Sequence, residues 1–286
     1  MGHKNHKSMV RQVQERLGGQ LRIGQSKYEA QRAEKTQHPE GIFSYGTFRT
    51  YLKHCNYFAA WAKETHGCKT LEAARPYVDE WLTSRSDLSA STVKMEASAL
   101  AKLYGCSTTD FVETRSRRRA DITRSRGEAV RDRHFSETKN AELINFCRCT
   151  GLRRAELESL RPDQLRQQED GSFALEVKGK GGRVRTAPIV GTPEQVQAVV
   201  DRIQGAQGFV WGPVHSNADI HSYRAEYATR VYEMHARPIS EIPREEVYHC
   251  RGDLKGVAYD KQAMRVASEA LGHNRISVIA GHYIRR

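Results

Sequence analysis

Between residues 115 and 133 the chain carries eight arginines against three acidic residues, Asp121, Glu128 and Asp132. Arginine is seldom buried without a partner, so this composition reads as a connection between folding units. The expected organisation is a basic arm or marginal helix over 1–39, a helical domain over 40–112, a basic linker over 113–133 and a second domain over 134–286. A length of 286 residues leaves room for two domains with real cores.

The first domain reads as all-helical. Phe48, Tyr51, Leu52, Cys55, Phe58, Ala59 and Ala62 recur at three- and four-residue spacing, which marks an amphipathic helix. Further helices are expected over 71–82 and 91–104, with Gly67 and Gly105 as stops. In the second domain Ser136 is expected to cap a helix through Cys149, Gly151 to end or bend it, and 153–160 to resume helical spacing. Phe173, Leu175 and Val177 alternate with polar residues, as do Val184 and Thr186. The intervening Gly179-Lys-Gly-Gly182 supplies a turn, so this is a β-hairpin with Lys180 at its tip. Residues 222–235, 261–272 and 276–285 read as helices, and 236–260, with Pro238, Pro243 and Gly252, as irregular chain. The fold class is therefore mainly α with a small β-hairpin or sheet, in two domains, the first helical and the second α+β.

A hydrophobic content of 38% with 28% charged residues fits a globular chain. No stretch approaches the roughly 20 apolar residues of a membrane span, and the N-terminus lacks the apolar run of a secretory signal. The expectation is a cytoplasmic, nucleoid-associated protein whose cysteines at 55, 68, 106, 147, 149 and 250 are free thiols. The neighbours His54-Cys55 and His249-Cys250 lack the paired spacing of a zinc site, so no metal is expected. A net charge of +12 points to a partner rich in phosphates, and nucleic acid is the natural one.

Five short stretches then follow one another through the second half: T-G-L-R-R-A-E at 150–156, G-K-G-G at 179–182, H-S-Y-R at 221–224, L-G-H at 271–273, and Tyr283. Each alone has a plain structural reading. Arg153 and Glu156 make an ordinary helix-surface pair, Lys180 solubilises a turn, His221 is a satisfied structural histidine, and most of the 12 tyrosines must be structural. Together they supply the groups that attack on a phosphodiester requires. Arg153, near a helix start, offers a planar donor fork for phosphate, and Glu156 one turn on can hold it. Lys180 sits where a flexible ammonium can reach a ligand, although no G-x-x-x-x-G-K-S/T nucleotide loop is present. His221 and Arg224 share a helix face, placing a group that titrates near neutrality beside an anion-orienting one. A phenol in water is only about one part in a thousand ionised at pH 7, so Tyr283 needs the base and cations that the other stretches provide.

In order and rough spacing, these stretches resemble the catalytic domain of the tyrosine recombinases, the phage-integrase-like site-specific DNA recombinases, over about residues 135–286. Residues 40–112 are similar in size, position and pattern to that family's core-binding domain. The resemblance implies that Arg153 and Arg224 bind phosphate, Lys180 is the hairpin lysine, His221 and His273 are the two histidines, Tyr283 is the nucleophile and Glu156 is the supporting acidic residue. It implies DNA contacts from the linker residues Arg115, Arg117, Arg118, Arg119, Arg124 and Arg126. The implied reaction cuts and rejoins DNA through a 3′-phosphotyrosyl link with no metal, ATP or other cofactor. The implied partner is a double-stranded DNA recombination site held in a C-shaped clamp, with a dimer on one site, a tetramer in the synapse, accessory DNA-bending proteins as optional partners, and no membrane.

Three features depart from the family pattern. Ala225 stands where many members have a histidine, residues 231–270 form a longer connection than in most, and only Ile284, Arg285 and Arg286 follow the tyrosine, where members usually carry a segment that docks on a neighbouring subunit. The tyrosine also falls one residue later after L-G-H than in the commonest members, which looks like the integrases of mobile elements. The rival readings are a type IB topoisomerase-like nicking-closing enzyme and a non-catalytic DNA-binding protein of the same fold. A metal-dependent nuclease would need a carboxylate cluster that the sequence lacks.

Overall fold

The structure, a computed structural model, describes residues 7–284 apart from 37, 119–133, 180, 181 and 183. The chain forms two compact units that divide between Arg117 and Arg118, inside the arginine-rich stretch.

The first unit contains α1 (Met9–Gly18), α2 (Lys27–Ala33), α3 (Tyr45–His66), α4 (Leu71–Ala74), α5 (Val78–Ser84) and α6 (Ala90–Tyr104). Ser8, Ser26, Ser44, Thr70 and Ser89 cap α1, α2, α3, α4 and α6, each hydroxyl accepting a backbone N–H of the first turn that has no carbonyl partner within the helix. Helices α3 and α6 end at Gly67 and Gly105, the stops expected from sequence. The face of α3 that carries Cys55, Phe58, Ala59 and Ala62 is buried, as its periodicity predicts. Phe58 packs edge-on against Trp81 and Tyr104, with ring centroids 6.3 and 6.4 Å away. The helix expected over 71–82 is interrupted by a 3₁₀ turn at Arg75–Tyr77, where Pro76 has no N–H to give the ladder.

Residues 8–39 are not an arm. Met9, Val13 and Leu17 of α1 are buried in the core of this unit. The backbone of Leu21 bridges to Ile42, with Arg22 N–H donating to the Ile42 carbonyl at 3.0 Å and Ile42 N–H to the Gln20 carbonyl at 2.7 Å. The expected boundary at 39/40 therefore falls inside the first unit.

The second unit contains α7 (Ala141–Thr150), α8 (Arg154–Glu158), β1 (Leu165–Gln167), β2 (Phe173–Lys178), β3 (Val184–Pro188), α9 (Pro193–Gln204), α10 (Ile220–His235), β4 (Val247–His249), β5 (Ala258–Asp260), α11 (Lys261–Ala270) and α12 (Ser277–His282). Strands β1, β2 and β3 form an antiparallel sheet in that order, with Leu175 opposite Ala187 and Val177 opposite Arg185. Helix α10 lies against α7 and α11 and buries Tyr227, Ala228 and Val231.

Three expectations need correction in this unit. Ser136 heads a turn rather than a helix, its carbonyl accepting from Asn140 N–H at 3.2 Å, and α7 begins four residues later than expected, at Ala141. On β3 the inward residues are Arg185 and Ala187, whereas Val184 and Thr186 are exposed, so the alternation runs in the opposite phase. Residues 236–260 are not irregular. They hold the β4–β5 hairpin, tied to α11 by Asp260, which accepts from the Arg237 Nε and Nη2 at 2.8 Å each and caps α11 through Gln262 N–H. These Arg237 hydrogen bonds hold the buried Asp260 carboxyl well below the usual carboxylate range.

Candidate active site

The T-G-L-R-R-A-E stretch turns a corner between α7 and α8. Gly151 ends α7 in the left-handed region, at φ 58°, and Arg153 becomes the N-cap of α8. The Arg153 N–H donates to Glu156 Oε2 at 2.8 Å, and its Nη1 donates to Oε1 at 2.7 Å. The backbone and side chain of Arg153 are thus fixed by one carboxylate. The same carboxylate receives a second guanidinium from β3: Arg185 Nη1 reaches Oε1 and Nη2 reaches Oε2, both at 2.8 Å. Burial pushes the Glu156 carboxyl up, but the bonds from Arg185 and Arg153 outweigh it and hold the group at about 2.

Arg224 projects from α10 and is 2% exposed. Its Nη1 donates to the Gly151 carbonyl and its Nη2 to the Leu271 carbonyl at 2.6 Å. Arg153 Nη2 reaches the same Leu271 carbonyl at 3.3 Å, so one backbone oxygen aligns both guanidiniums. The Arg224 Nε is buried with no hydrogen-bond partner among the described residues. Burial lowers Arg224 to about 10, which leaves it charged at neutral pH.

Tyr283 sits at the end of α12, with its N–H donating to the Ile279 carbonyl at 2.9 Å. Its hydroxyl lies 3.2 Å from His273 Nε2. The His221 ring centroid is 5.3 Å from the tyrosine ring, and the Arg224 guanidinium carbon is 5.6 Å from it. His273 is held in a tight turn after α11, where its N–H and carbonyl both bond to Ser268. Burial, and then the charges of Arg224, Arg153 and Arg185, depress His273 to about 4, so its imidazole is neutral at pH 7. A cavity of about 350 Å³ opens beside Tyr283, lined by Arg153, Arg154, Asp219, His221, Arg224 and Tyr283. Such a pocket, cationic on one wall and phenolic on another, can hold an anionic oxygen cluster against a hydroxyl.

The structure therefore brings Arg153, Glu156, His221, Arg224, His273 and Tyr283 together. Lys180 lies outside the described residues, as do Arg119, Arg124 and Arg126. Gly179, the residue before Lys180, passes so close to the cluster that a Cβ there would meet Glu156 Oε1 at 3.2 Å and Arg153 Nη1 at 3.4 Å. Arg115, Arg117 and Arg118 are exposed in the first unit and at the unit boundary. Among the described residues no group of three or more His, Cys, Asp or Glu side chains could hold a metal ion, and no helix is long and apolar enough to cross a membrane.

Two site residues escape sequence reasoning. Arg185 looks like one more cation on a hairpin; its signal is an arginine at an inward strand position. Arg154 donates to the carbonyls of Val214, His215, Ser216 and Ala218, at 2.7 to 3.2 Å, and so staples the loop that leads into α10 and His221. Nothing in its immediate sequence distinguishes it from its neighbour Arg153.

The Glu156 cluster predicts an acid-side dependence of stability. A carboxyl at about 2 in the folded state, against an ordinary 4.5, contributes fully above pH 4.5 and loses that contribution as pH falls toward 2. The gap in thermal midpoint between wild type and Glu156→Gln is expected to be widest at pH 5 and above and to narrow progressively below it. A gap that stays constant down to pH 2.5 would mean that the carboxylate charge does not hold the site.

No family model matches the chain, and no curated protein matches it in sequence. Among solved structures it is similar to the XerH site-specific recombinase bound to palindromic difH substrate in a post-cleavage complex. The identity is 14%, covering 97% of this chain and 91% of that one, with a TM-score of 0.53. The pre-cleavage complex of XerH with difH gives the same identity, coverage and TM-score. The Tn1549 transposon integrase in complex with circular intermediate DNA is a looser likeness, at 11% identity over 98% of this chain and 96% of that one, with a TM-score of 0.47. The XerH likeness spans both units and shows the two-domain tyrosine-recombinase fold, mainly helical with small antiparallel sheets, as expected from the sequence.

Proposed function

We propose that the protein is a site-specific tyrosine recombinase that cuts and rejoins double-stranded DNA through a covalent link to Tyr283. The observation that carries this reading is the convergence of Tyr283, two fixed guanidiniums and the His221 imidazole on one cavity, with His273 against the Tyr283 hydroxyl, from residues up to 130 positions apart in sequence. The XerH fold supports it independently.

In the proposed reaction the Tyr283 oxygen attacks a backbone phosphorus in line. A P–O bond to the phenol forms, the P–O5′ bond breaks, and the products are a 3′-phosphotyrosyl link and a free 5′-hydroxyl. Arg153 and Arg224 neutralise the non-bridging oxygens as charge builds in the pentavalent transition state. The Arg224 Nε, a donor with no partner among the described residues, is suited to one of them. Either histidine of the set could accept the tyrosine's proton; the geometry favours His273 over His221, because its neutral Nε2 faces the hydroxyl. The arriving phosphate offsets the arginine charges that depress this imidazole, so its basicity rises as the substrate binds. Lys180 is assigned the proton for the leaving 5′-oxygen, and His221 lies at the mouth of the cavity as a further donor to phosphate. A second strand's 5′-hydroxyl reverses the step. Because the ester bond is exchanged rather than hydrolysed, no ATP is consumed.

Exchange between two duplexes needs four such sites, hence a dimer on each site and a tetramer in the synapse. Exposed Arg115, Arg117 and Arg118 support phosphate contacts by the connecting stretch. The late position of the tyrosine after L-G-H supports a mobile-element integrase acting on DNA in the cytoplasm. The test is incubation with duplex DNA carrying a nick, which traps the cleaved strand, with a chelator present, followed by denaturing gel and peptide mapping. A chelator-resistant adduct mapped to Tyr283 is expected. DNA binding with no adduct would favour the non-catalytic reading, and relaxation of any supercoiled plasmid without a paired site would favour the topoisomerase-like one.

A further inference from the structure

Arg185 is a buried cation, 8% exposed, that the proposed chemistry leaves without a role. It lies on β3, just past the hairpin tip, and its side chain meets three separate stretches. Its Nη1 and Nη2 take both oxygens of Glu156, and its Nε donates to the Ala270 carbonyl at 3.0 Å, three residues before His273. Its Nη1 lies 3.3 Å from where a Cβ of Gly179 would be, and its Cδ lies 2.7 Å from where a Cβ of Gly272 would be. The backbone before Lys180 and the backbone before His273 thus both rest on this one side chain.

The charges make its position matter. Glu156 alone with Arg153 is a neutral pair, and a neutral pair attracts a phosphate poorly. With Arg185 on the buried side, one carboxylate is shared by two guanidiniums and the cluster carries a net positive charge. A carboxylate relieved of half its demand also leaves Arg153 free to hold only Oε1 with one nitrogen. Were Arg185 absent, a bidentate Arg153–Glu156 pair would be the stable geometry, turned away from the cavity. We propose that Arg185 is a positioning residue for strand cleavage: it takes up the Glu156 carboxylate so that the Arg153 charge faces the phosphate, and it fixes the hairpin and the His273 turn to the same point. This rests on the recombinase reading given above.

The test compares single-turnover adduct formation on nicked duplex DNA with DNA affinity, using the full chain. No adduct from wild type would defeat the recombinase reading and this assignment together. With wild type active, Arg185→Lys keeps a charge but loses the fork. Since affinity is spread over many phosphate contacts, binding is expected to stay within about threefold, while adduct formation slows on the order of 10²-fold. Breaking one side of a buried ion pair can unfold a protein, whereas replacing the pair by apolar groups is often neutral. The double variant Arg185→Met/Glu156→Leu is therefore the second probe, and it is expected to fold, to bind DNA and to show at least the same slowing. A wild-type rate in either variant would overturn the assignment for Arg185 alone. Parallel losses of rate, affinity and thermal midpoint would overturn it too, by reducing Arg185 to a purely structural member of the core.

Discussion

Replacing Tyr283 by phenylalanine is expected to remove the covalent protein–DNA adduct completely while leaving DNA affinity and thermal midpoint near wild type. The ring belongs to the core cluster with Ile279 and Ile284, and phenylalanine keeps those contacts. What disappears is the hydroxyl, whose hydrogen bond is to His273 at 3.2 Å, and a single such bond contributes about 1 kcal/mol. His273 is neutral when the site is empty, so losing this partner strands no charge. Cleavage, in contrast, has no substitute path: the phenol oxygen is the atom that bonds to phosphorus. The variant should therefore bind nicked DNA on a native gel and show no shifted band on a denaturing one. An adduct of normal yield from the phenylalanine protein would place the nucleophile on another residue and end the assignment.

How far the sequence disclosed this arrangement depended on the range of the interaction. The broad apolar face of α3 was plain in its spacing, whereas α1 presents only Met9, Val13 and Leu17, a seam one side chain wide among charged residues. The Arg153–Glu156 pair lies within one helical turn and could be anticipated. Arg185 and Glu156 are 29 positions apart, and no periodicity reveals that a strand's inward position is filled by a charge already matched elsewhere. That buried arginine also inverts the phase of β3 relative to its apolar pattern. The sequence placed both histidines in the set, but the choice between them as neighbour of Tyr283 is made by the turn after α11, which pins His273 through Ser268. Likewise the β4–β5 hairpin depends on Asp260 meeting Arg237, a pairing across 23 positions within a stretch whose prolines suggested disorder of form. Local pattern carried the helices and the candidate residues; the charge pairing that orients them lay in long-range contacts.

The largest loss of stability is expected from Gly151→Ala, and it couples the fold to the site. Gly151 adopts φ 58°, where an L-residue costs about 1–2 kcal/mol. A Cβ there would also collide with the Tyr227 ring, 2.6 Å from Cγ and 2.7 Å from Cε1. Tyr227 cannot retreat, because it is fully buried in α10 and its hydroxyl donates to the Pro188 carbonyl at 2.9 Å. Such overpacking adds a further 1–3 kcal/mol or more, by typical magnitudes of about that size, against a total stability of about 5–15 kcal/mol. Gly252→Ala is the control, since its φ of 62° imposes the same backbone strain while nothing among the described residues lies within 4 Å of its Cβ. The midpoint is expected to fall about two- to threefold further for Gly151→Ala than for Gly252→Ala, by the sum of the two costs against the first alone, and equal falls would refute the steric account. The Gly151 carbonyl is also a seat of the Arg224 guanidinium. Any Gly151→Ala protein that still folds must shift that carbonyl, and its adduct formation should drop while Gly252→Ala remains as active as wild type.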